Sequence, residues 1–116
     1  MTDAGLVHIA GLTNLEHLVL GGTQVTEAGL KHIAGLTNLD RLDFAGTKVT
    51  DEGVVHLAGL PKLKTLHLGE TQVTDAGAKH LAGLTELDSL TVSRPTSDAV
   101  IAVLKKALPE TAILRM

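Results

Sequence analysis

One spacing governs this chain: Thr2, Thr26, Thr50 and Thr74 stand 24 residues apart, and most other positions keep that step. Gly5, Gly29, Gly53 and Gly77 form one column, and Gly11, Gly35, Gly59 and Gly83 form another. His8, His32, His56 and His80 follow the same period. So do Leu12, Leu36, Leu60 and Leu84, then Leu15, Leu39, Leu63 and Leu87, then Leu18, Leu42, Leu66 and Leu90. Leu20, Phe44, Leu68 and Val92 come next, with Thr23, Thr47 and Thr71 three residues further on. Eight of the 12 glycines fall in two columns, so they punctuate backbone geometry and do not form a flexible linker. A unit this short cannot bury its own apolar face, and only stacking of successive units builds a core.

Each unit alternates two periodicities. Thr26 has the side chain of a helix N-cap, and Glu27 places negative charge in the first turn, as Asp3, Asp51 and Asp75 do. Leu30 and Ile33 form a short apolar helical stripe, and Gly35 stands where a left-handed residue is expected to stop the helix. The expected helix is about 8–9 residues, a length that depends on packing for its persistence. Leu39-Asp40-Arg41-Leu42-Asp43-Phe44 then ends in the apolar/polar alternation of a short strand. Gly46-Thr47 turns the chain toward the next helix. Phe44 replaces leucine at an inward position and reads as core packing. Gly21, Ala45 and Gly69 leave room beside the strand ends, as a tight turn requires.

The pattern Leu-x-x-Leu-x-Leu-x-x-Thr, followed by Val-Thr-Asp/Glu-x-Gly and His-Ile/Leu-Ala-Gly-Leu, resembles the leucine-rich repeat. More narrowly, it is similar to the 24-residue "VTDAGL" type common in long bacterial arrays. The resemblance covers essentially the whole chain. It implies an α/β solenoid of the ribonuclease-inhibitor-like kind, with a short parallel sheet on the concave side and short helices on the convex side. The chain then divides into a single domain of repeats at about 1–24, 25–48, 49–72 and 73–95, with a C-terminal cap over 96–116. One departure is Thr23, Thr47 and Thr71 where the family more often carries Asn. A threonine hydroxyl also bonds backbone in a turn, so a threonine ladder is expected there.

The two ends read differently. After Pro95 the unit loses one residue, since Ser97-Asp98 matches Thr74-Asp75 at a step of 23. Val100, Ile101, Val103, Leu104 and Leu108 give a longer amphipathic helix, Pro109 ends it, and Ala112-Ile113-Leu114 reads as a fifth, edge strand. This is the atypical terminal unit that a solenoid needs, and similar "LKKALP" endings close arrays of the resembled family. At the other end Met1 occupies the column of Val25, Val49 and Val73, so the first coil lacks a strand of its own. An uncovered strand edge beside apolar side chains is an association site. Self-association through this end, or a place at the end of a longer array, is therefore expected.

Composition excludes several functions. The chain is 44% hydrophobic but 1% aromatic, which leaves no platform for base stacking. Zero cysteine removes disulfides, thiolate metal sites and a cysteine nucleophile. A net charge of −3 argues against nucleic acid and anionic lipid as partners. No apolar run approaches the roughly 20 residues that cross a bilayer. No signal peptide follows Met1-Thr2-Asp3, which leaves the compartment open with the cytoplasm as default.

The histidine column invites a metal reading. Tetrahedral zinc needs ligand atoms about 3–3.5 Å from one another, and a column repeating once per coil spreads its members too widely. A structural histidine bonding backbone at each helix end is the plainer expectation, with no metal and no cofactor.

The concave face is where the columns stop agreeing. His17, Arg41, Thr65 and Ser89 form one row, Val19, Asp43, His67 and Thr91 the next, and Glu70 and Arg94 follow Gly22 and Gly46 beyond the strands. Neighbouring strands lie about 4.8 Å apart, so Asp43, His67 and Thr91 resemble an acid–base–hydroxyl relay. No pocket closes over an open sheet and no oxyanion donors accompany Thr91, so a mixed-charge surface with Arg41, Asp43, His67 and Glu70 paired locally is expected instead. A carboxylate at every helix start disfavours phosphate there. The reading is a non-enzymatic module that binds a protein partner through these ten residues. A structural segment closing a longer array, or an idealised or engineered scaffold, is the alternative. Binding hot spots favour Trp, Tyr and Arg, and Arg41 and Arg94 alone represent that set, so modest affinity is expected.

Overall fold

The computed structural model describes residues 2–116, so the expectation for Met1 lies outside the described residues. Helix α1 (Asp3–Leu6) runs into a 3₁₀ turn (Val7–Ile9), and strand β1 is His17–Val19. Then follow α2 (Glu27–Ile33), β2 (Arg41–Asp43), α3 (Asp51–Leu57) and β3 (Thr65–His67). Helix α4 (Asp75–Ala78) again continues as a 3₁₀ turn (Lys79–Gly83), before β4 (Ser89–Val92), α5 (Asp98–Ala107) and β5 (Ala112–Arg115). The five strands form one parallel sheet in the order β1-β2-β3-β4-β5, and with the helices between them they make an α/β solenoid. The molecule is elongated, 38 × 24 × 18 Å.

The repeat spacing sets the register. His17 pairs with Arg41, Thr65 and Ser89 along one row, and Leu18 with Leu42, Leu66 and Leu90 along the next. The inward leucines, with Phe44, Val25, Val49 and Val73, fill one continuous core. Thr23, Thr47 and Thr71 each donate a hydroxyl hydrogen bond of 2.7 Å to the carbonyl three residues back, at Leu20, Phe44 and Leu68. The threonine column thus forms as expected, with every bond inside its own coil.

The helices depart from expectation in two ways. They are shorter, seven residues in α2 and α3, because the chain tightens into turns before the glycine column. Gly35, Gly11, Gly59 and Gly83 do not adopt the left-handed conformation, and a Cβ on any of them would meet nothing within 4 Å. Nothing in the structure explains that column. The left-handed residues are Gly22 and Gly46, both at φ 71°, and Glu70 at φ 55°, one position beyond Gly21, Ala45 and Gly69.

The Thr-Asp column does more between coils than within them. Of the column's threonines among the described residues only Thr26 caps its own helix, accepting from the Ala28 N–H at 3.3 Å, while Ser97 at the start of α5 accepts from the Val100 N–H at 3.3 Å. The carboxylate of Asp3 instead accepts from the Thr26 N–H (2.8 Å) and hydroxyl (2.6 Å), and Asp51 does the same for Thr74 at 2.6 and 2.5 Å. Thr50 reaches Glu27 at 3.3 Å, and the Ser97 N–H reaches Asp75 at 2.7 Å. The Ser97 N–H, then its hydroxyl, hold the Asp75 carboxyl below its ordinary value of 3.8. Each acid therefore binds the start of the next coil. The first glycine column makes that approach close: a Cβ on Gly29 would collide with the Asp3 carboxylate and stand 2.6 Å from Leu6, and one on Gly53 would stand 2.6 Å from Leu30.

At the C-terminal end α5 buries Val100, Leu104 and Leu108 and β5 pairs with β4, while Val103 of the expected apolar face is 53% exposed. No helix among the described residues is long and apolar enough to cross a membrane.

Candidate functional site

The sheet brings the sequence-predicted residues into two adjacent rows. His17, Arg41, Thr65 and Ser89 stand side by side, as do Val19, Asp43, His67 and Thr91. Val19 is 62% exposed and Thr91 only 6%, so the second row sinks from an open apolar position at β1 to a covered hydroxyl at β4. His17, Arg41, Glu70 and Arg94 are exposed, while Asp43, Thr65, His67 and Ser89 are half-buried.

Backbone contacts fix two of these side chains. Asp43 Oδ1 accepts from the Ala45 N–H at 2.9 Å, and His67 Nδ1 accepts from the Gly69 N–H at 3.0 Å. That second bond leaves His67 Nε2 to carry the proton of the neutral ring. Both side chains turn toward their own strand ends, so Asp43, His67 and Thr91 are not linked as a relay. Nor do Arg41, Asp43, His67 and Glu70 pair locally, contrary to expectation. Among the described residues, His17 Nε2 lies 3.0 Å from Asp40 Oδ1, and Arg115 forms an ion pair with Asp98 at 2.8 Å.

Glu70 is held by its backbone. Its N–H donates to the Met116 carbonyl at 2.8 Å, and its positive φ occupies a position that repeats one and two give to glycine. A charged residue in this conformation is strained, by about 1 kcal/mol or more.

His17 also joins the sheet to a groove that sequence reasoning missed. Asn14, Glu16, Asn38, Asp40, Lys62, Lys64 and Glu86 line a groove of about 530 Å³ beside the N-terminal ends of the strands. Lys62 Nζ donates to Asn38 Oδ1 at 3.0 Å, and Asn38 Nδ2 donates to the Thr13 carbonyl at 2.8 Å, so the wall is tied together across three coils. The signal was present in two further variable columns: Asn14, Asn38, Lys62, Glu86 and Glu16, Asp40, Lys64, Asp88. Along the second, charge runs negative, negative, positive, negative.

Among the described residues no three metal-ligating side chains converge. The side chains of His8, His32, His56 and His80 make no hydrogen bond there either, against the expectation of backbone bonding. They lie at or near the C-terminal ends of the helices, where the helix dipole suits a basic residue.

The sequence matches the family described as Leucine Rich repeat over residues 11–34, 35–58 and 59–82, more than half of the chain. The chain belongs to the leucine-rich repeat family. No curated protein matches it significantly. Among solved structures, it is similar to an internalin C2 from Listeria monocytogenes, at 28% identity and TM-score 0.72, over 93% of this chain and 45% of that one. It is similar to an internalin InlF from the same species, at 25% identity and TM-score 0.77, over 94% and 30% of the two chains. A leucine-rich repeat protein from Leptospira interrogans aligns at 27% identity and TM-score 0.69, over 92% of this chain and 27% of that one. The chain thus spans less than half the length of each of these neighbours.

Proposed function

We propose that residues 1–116 act as one protein-recognition unit without catalytic activity, binding a protein partner through the sheet face and the groove beside it. One observation carries this reading: the inward columns keep small or apolar residues in every coil, while the two rows in register on the sheet face change between charged, polar and apolar residues from coil to coil. The contact residues are His17, Val19, Arg41, Asp43, Thr65, His67, Glu70, Ser89 and Arg94, with Thr91 beneath them. The charge order of the groove fits a partner segment that presents an acid to Lys62 and Lys64 between basic neighbours. The 24-residue unit, the Val-Thr-Asp/Glu-x-Gly motif and the bacterial neighbours support the "VTDAGL" subtype.

The test compares capture of partners from a source extract by wild type, Arg41→Glu and Lys31→Glu. Arg41 is exposed and outside the ion pairs, so its variant keeps the fold, and Lys31 is an exposed control on α2. A partner lost with Arg41→Glu and kept with Lys31→Glu supports the reading. Equal capture by all three removes it.

A second reading rests on a separate observation: Leu12 is 52% exposed, whereas Leu36 and Leu60 in the same column are 0% exposed. The chain then closes a repeat array, with its N-terminal face as the joint. Self-association through the same face competes with this. A mass that rises with concentration supports self-association, and a constant monomer mass removes it.

A further inference from the structure

The turn that follows β4 differs from the three before it. Thr23, Thr47 and Thr71 stand three residues after the inward Leu20, Phe44 and Leu68, whereas Val92-Ser93-Arg94-Pro95-Thr96 takes four. Thr96 keeps the backbone part of the pattern, its N–H donating to the Ser93 carbonyl at 3.2 Å. Its side chain does not follow. The other three hydroxyls donate to the carbonyl three residues back, but the Thr96 hydroxyl has no partner among the described residues, although the residue is only 1% exposed. A buried hydroxyl left unpaired destabilises the fold, so this one calls for an acceptor from elsewhere.

Thr96 lines a cavity of about 590 Å³ with Arg94, Pro95, Ser97, Asp98 and Arg115. Arg94 is exposed and meets no acid within ion-pair distance among the described residues. Arg115 is held through Nη1, which donates to the Thr96 carbonyl at 3.0 Å and to Asp98 Oδ1 at 2.8 Å, leaving Nη2 and Nε for a ligand. Helix α5 opens beside the same cavity, since Ser97 is its N-cap and the Asp98 and Ala99 N–H groups have no acceptor inside the helix. Two of the chain's three arginines, a buried hydroxyl and a helix start thus converge.

The charges around the cavity select the anion. Asp98 neutralises Arg115, and Asp75, which accepts the Ser97 N–H, has Lys79 near it. Arg94 is left as the one unbalanced charge. That balance suits a singly charged carboxylate and disfavours a doubly charged phosphate. We propose that this cavity is a carboxylate-binding site, in which Arg94 pairs with the anion, Arg115 and the first turn of α5 orient it, and Thr96 Oγ1 donates to one of its oxygens. The ligand is a peptide carboxylate, from an acidic side chain or a chain end. The site lies beyond the sheet rows and shares only Arg94 with the contact surface proposed above.

Magnetic resonance titrations of the full chain test this with acetyl-tetraalanine bearing a free carboxylate, its amide, and that amide with one alanine replaced by glutamate. Both carboxylate peptides are expected to shift the Arg94 and Arg115 Nε–H and the Thr96 N–H resonances saturably, and the tighter of the two names the source. The neutral amide should leave them unmoved. Arg94→Gln should weaken binding about tenfold, whereas Lys105→Gln, at an exposed position of α5 outside the cavity, should not weaken it. Thr96→Val should weaken binding about threefold while raising the urea midpoint of the free protein, a split that a purely structural threonine would not give. Absence of saturable shifts, equal shifts with the neutral amide, full affinity in Arg94→Gln, or tighter binding of inorganic phosphate would each overturn the proposal. The peptides need no contact with the sheet rows, so failure of the sheet-face reading leaves this result standing.

Discussion

The two ends of the solenoid face the same physical problem, and only one of them has an answer within the described residues. At the C-terminal end, α5 buries Val100, Leu104 and Leu108 over the last coil, and β5 pairs with the last full strand. At the N-terminal end Leu15 and Leu18 are only half-buried, and Leu12 is 52% exposed against 0% for Leu36 and Leu60. Side chain, local motif and direction are the same in these three coils. Burial in a repeat protein therefore belongs to the interface between coils and not to the residue.

The largest expected effect tests that statement directly. Leu36→Ala or Leu60→Ala should cost about 2–5 kcal/mol, because each leaves a cavity in a closed core. Leu12→Ala, on the open face, should cost less than about 1 kcal/mol. Urea unfolding of the three variants measures the contrast, and equal losses would show that the N-terminal face is covered in solution. Leu104→Ala should match the central pair, because the cap seals its leucine completely.

A smaller contrast concerns the carboxylate column. Asp51→Ala removes three hydrogen bonds, to the Thr74 N–H and hydroxyl and to the Gly77 N–H, and should cost about 1–2 kcal/mol. Asp98→Ala removes one exposed ion pair with Arg115 and should cost roughly 0–1 kcal/mol. If thermal melts place the two variants together, the carboxylates do not join coils, and the joint rests on apolar packing alone.

What the sequence made legible follows from the same geometry. The 24-residue step placed His17, Arg41, Thr65 and Ser89 in one row, and the structure pairs them in that register. Phe44 was legible as core, and the loss of one residue after Pro95 as the entry to the cap. The partners of Asp3 and Asp51 were not legible, because a motif is read against neighbours within one turn. In a stacked coil the nearest groups lie 23 residues on. The same limit produced the expected pairing among Arg41, Asp43, His67 and Glu70, whereas the side chain that His17 meets is Asp40 of the next coil, 3.0 Å away. The groove was missed because its variable columns precede the strands and carry no apolar alternation.

Glu70 sharpens the comparison at the level of one dihedral angle. Gly22 and Gly46 take the left-handed conformation without steric strain, and Glu70 takes it with a Cβ. Glu70→Gly should raise stability by up to about 1 kcal/mol, offset in part by the freer unfolded chain, while Gly46→Ala should lower it by about 1 kcal/mol. A partner that contacts Glu70 would bind the more stable Glu70→Gly variant less well. A gain in both stability and binding would remove Glu70 from the contact surface.

The smallest expected effect lies at the joint between the fourth repeat and its cap. Asp75 accepts from the Ser97 N–H, and that bond, with the Ser97 hydroxyl and nearby Lys79, holds its carboxyl below the ordinary 3.8. A group whose value is depressed on folding stabilises the fold above its unfolded value, and the contribution is lost as pH falls through the folded value. The contribution of Asp75 is thus complete above the carboxylate range and declines below about pH 3.8. Asp75→Asn removes it at every pH. The stability difference between wild type and this variant should therefore be constant near neutrality and shrink on acidification, as unfolding at a series of pH values would measure. A difference that stays constant through that range would mean the ionised carboxylate contributes nothing to the joint, leaving the cap held by Val100, Leu104 and the β5 ladder alone.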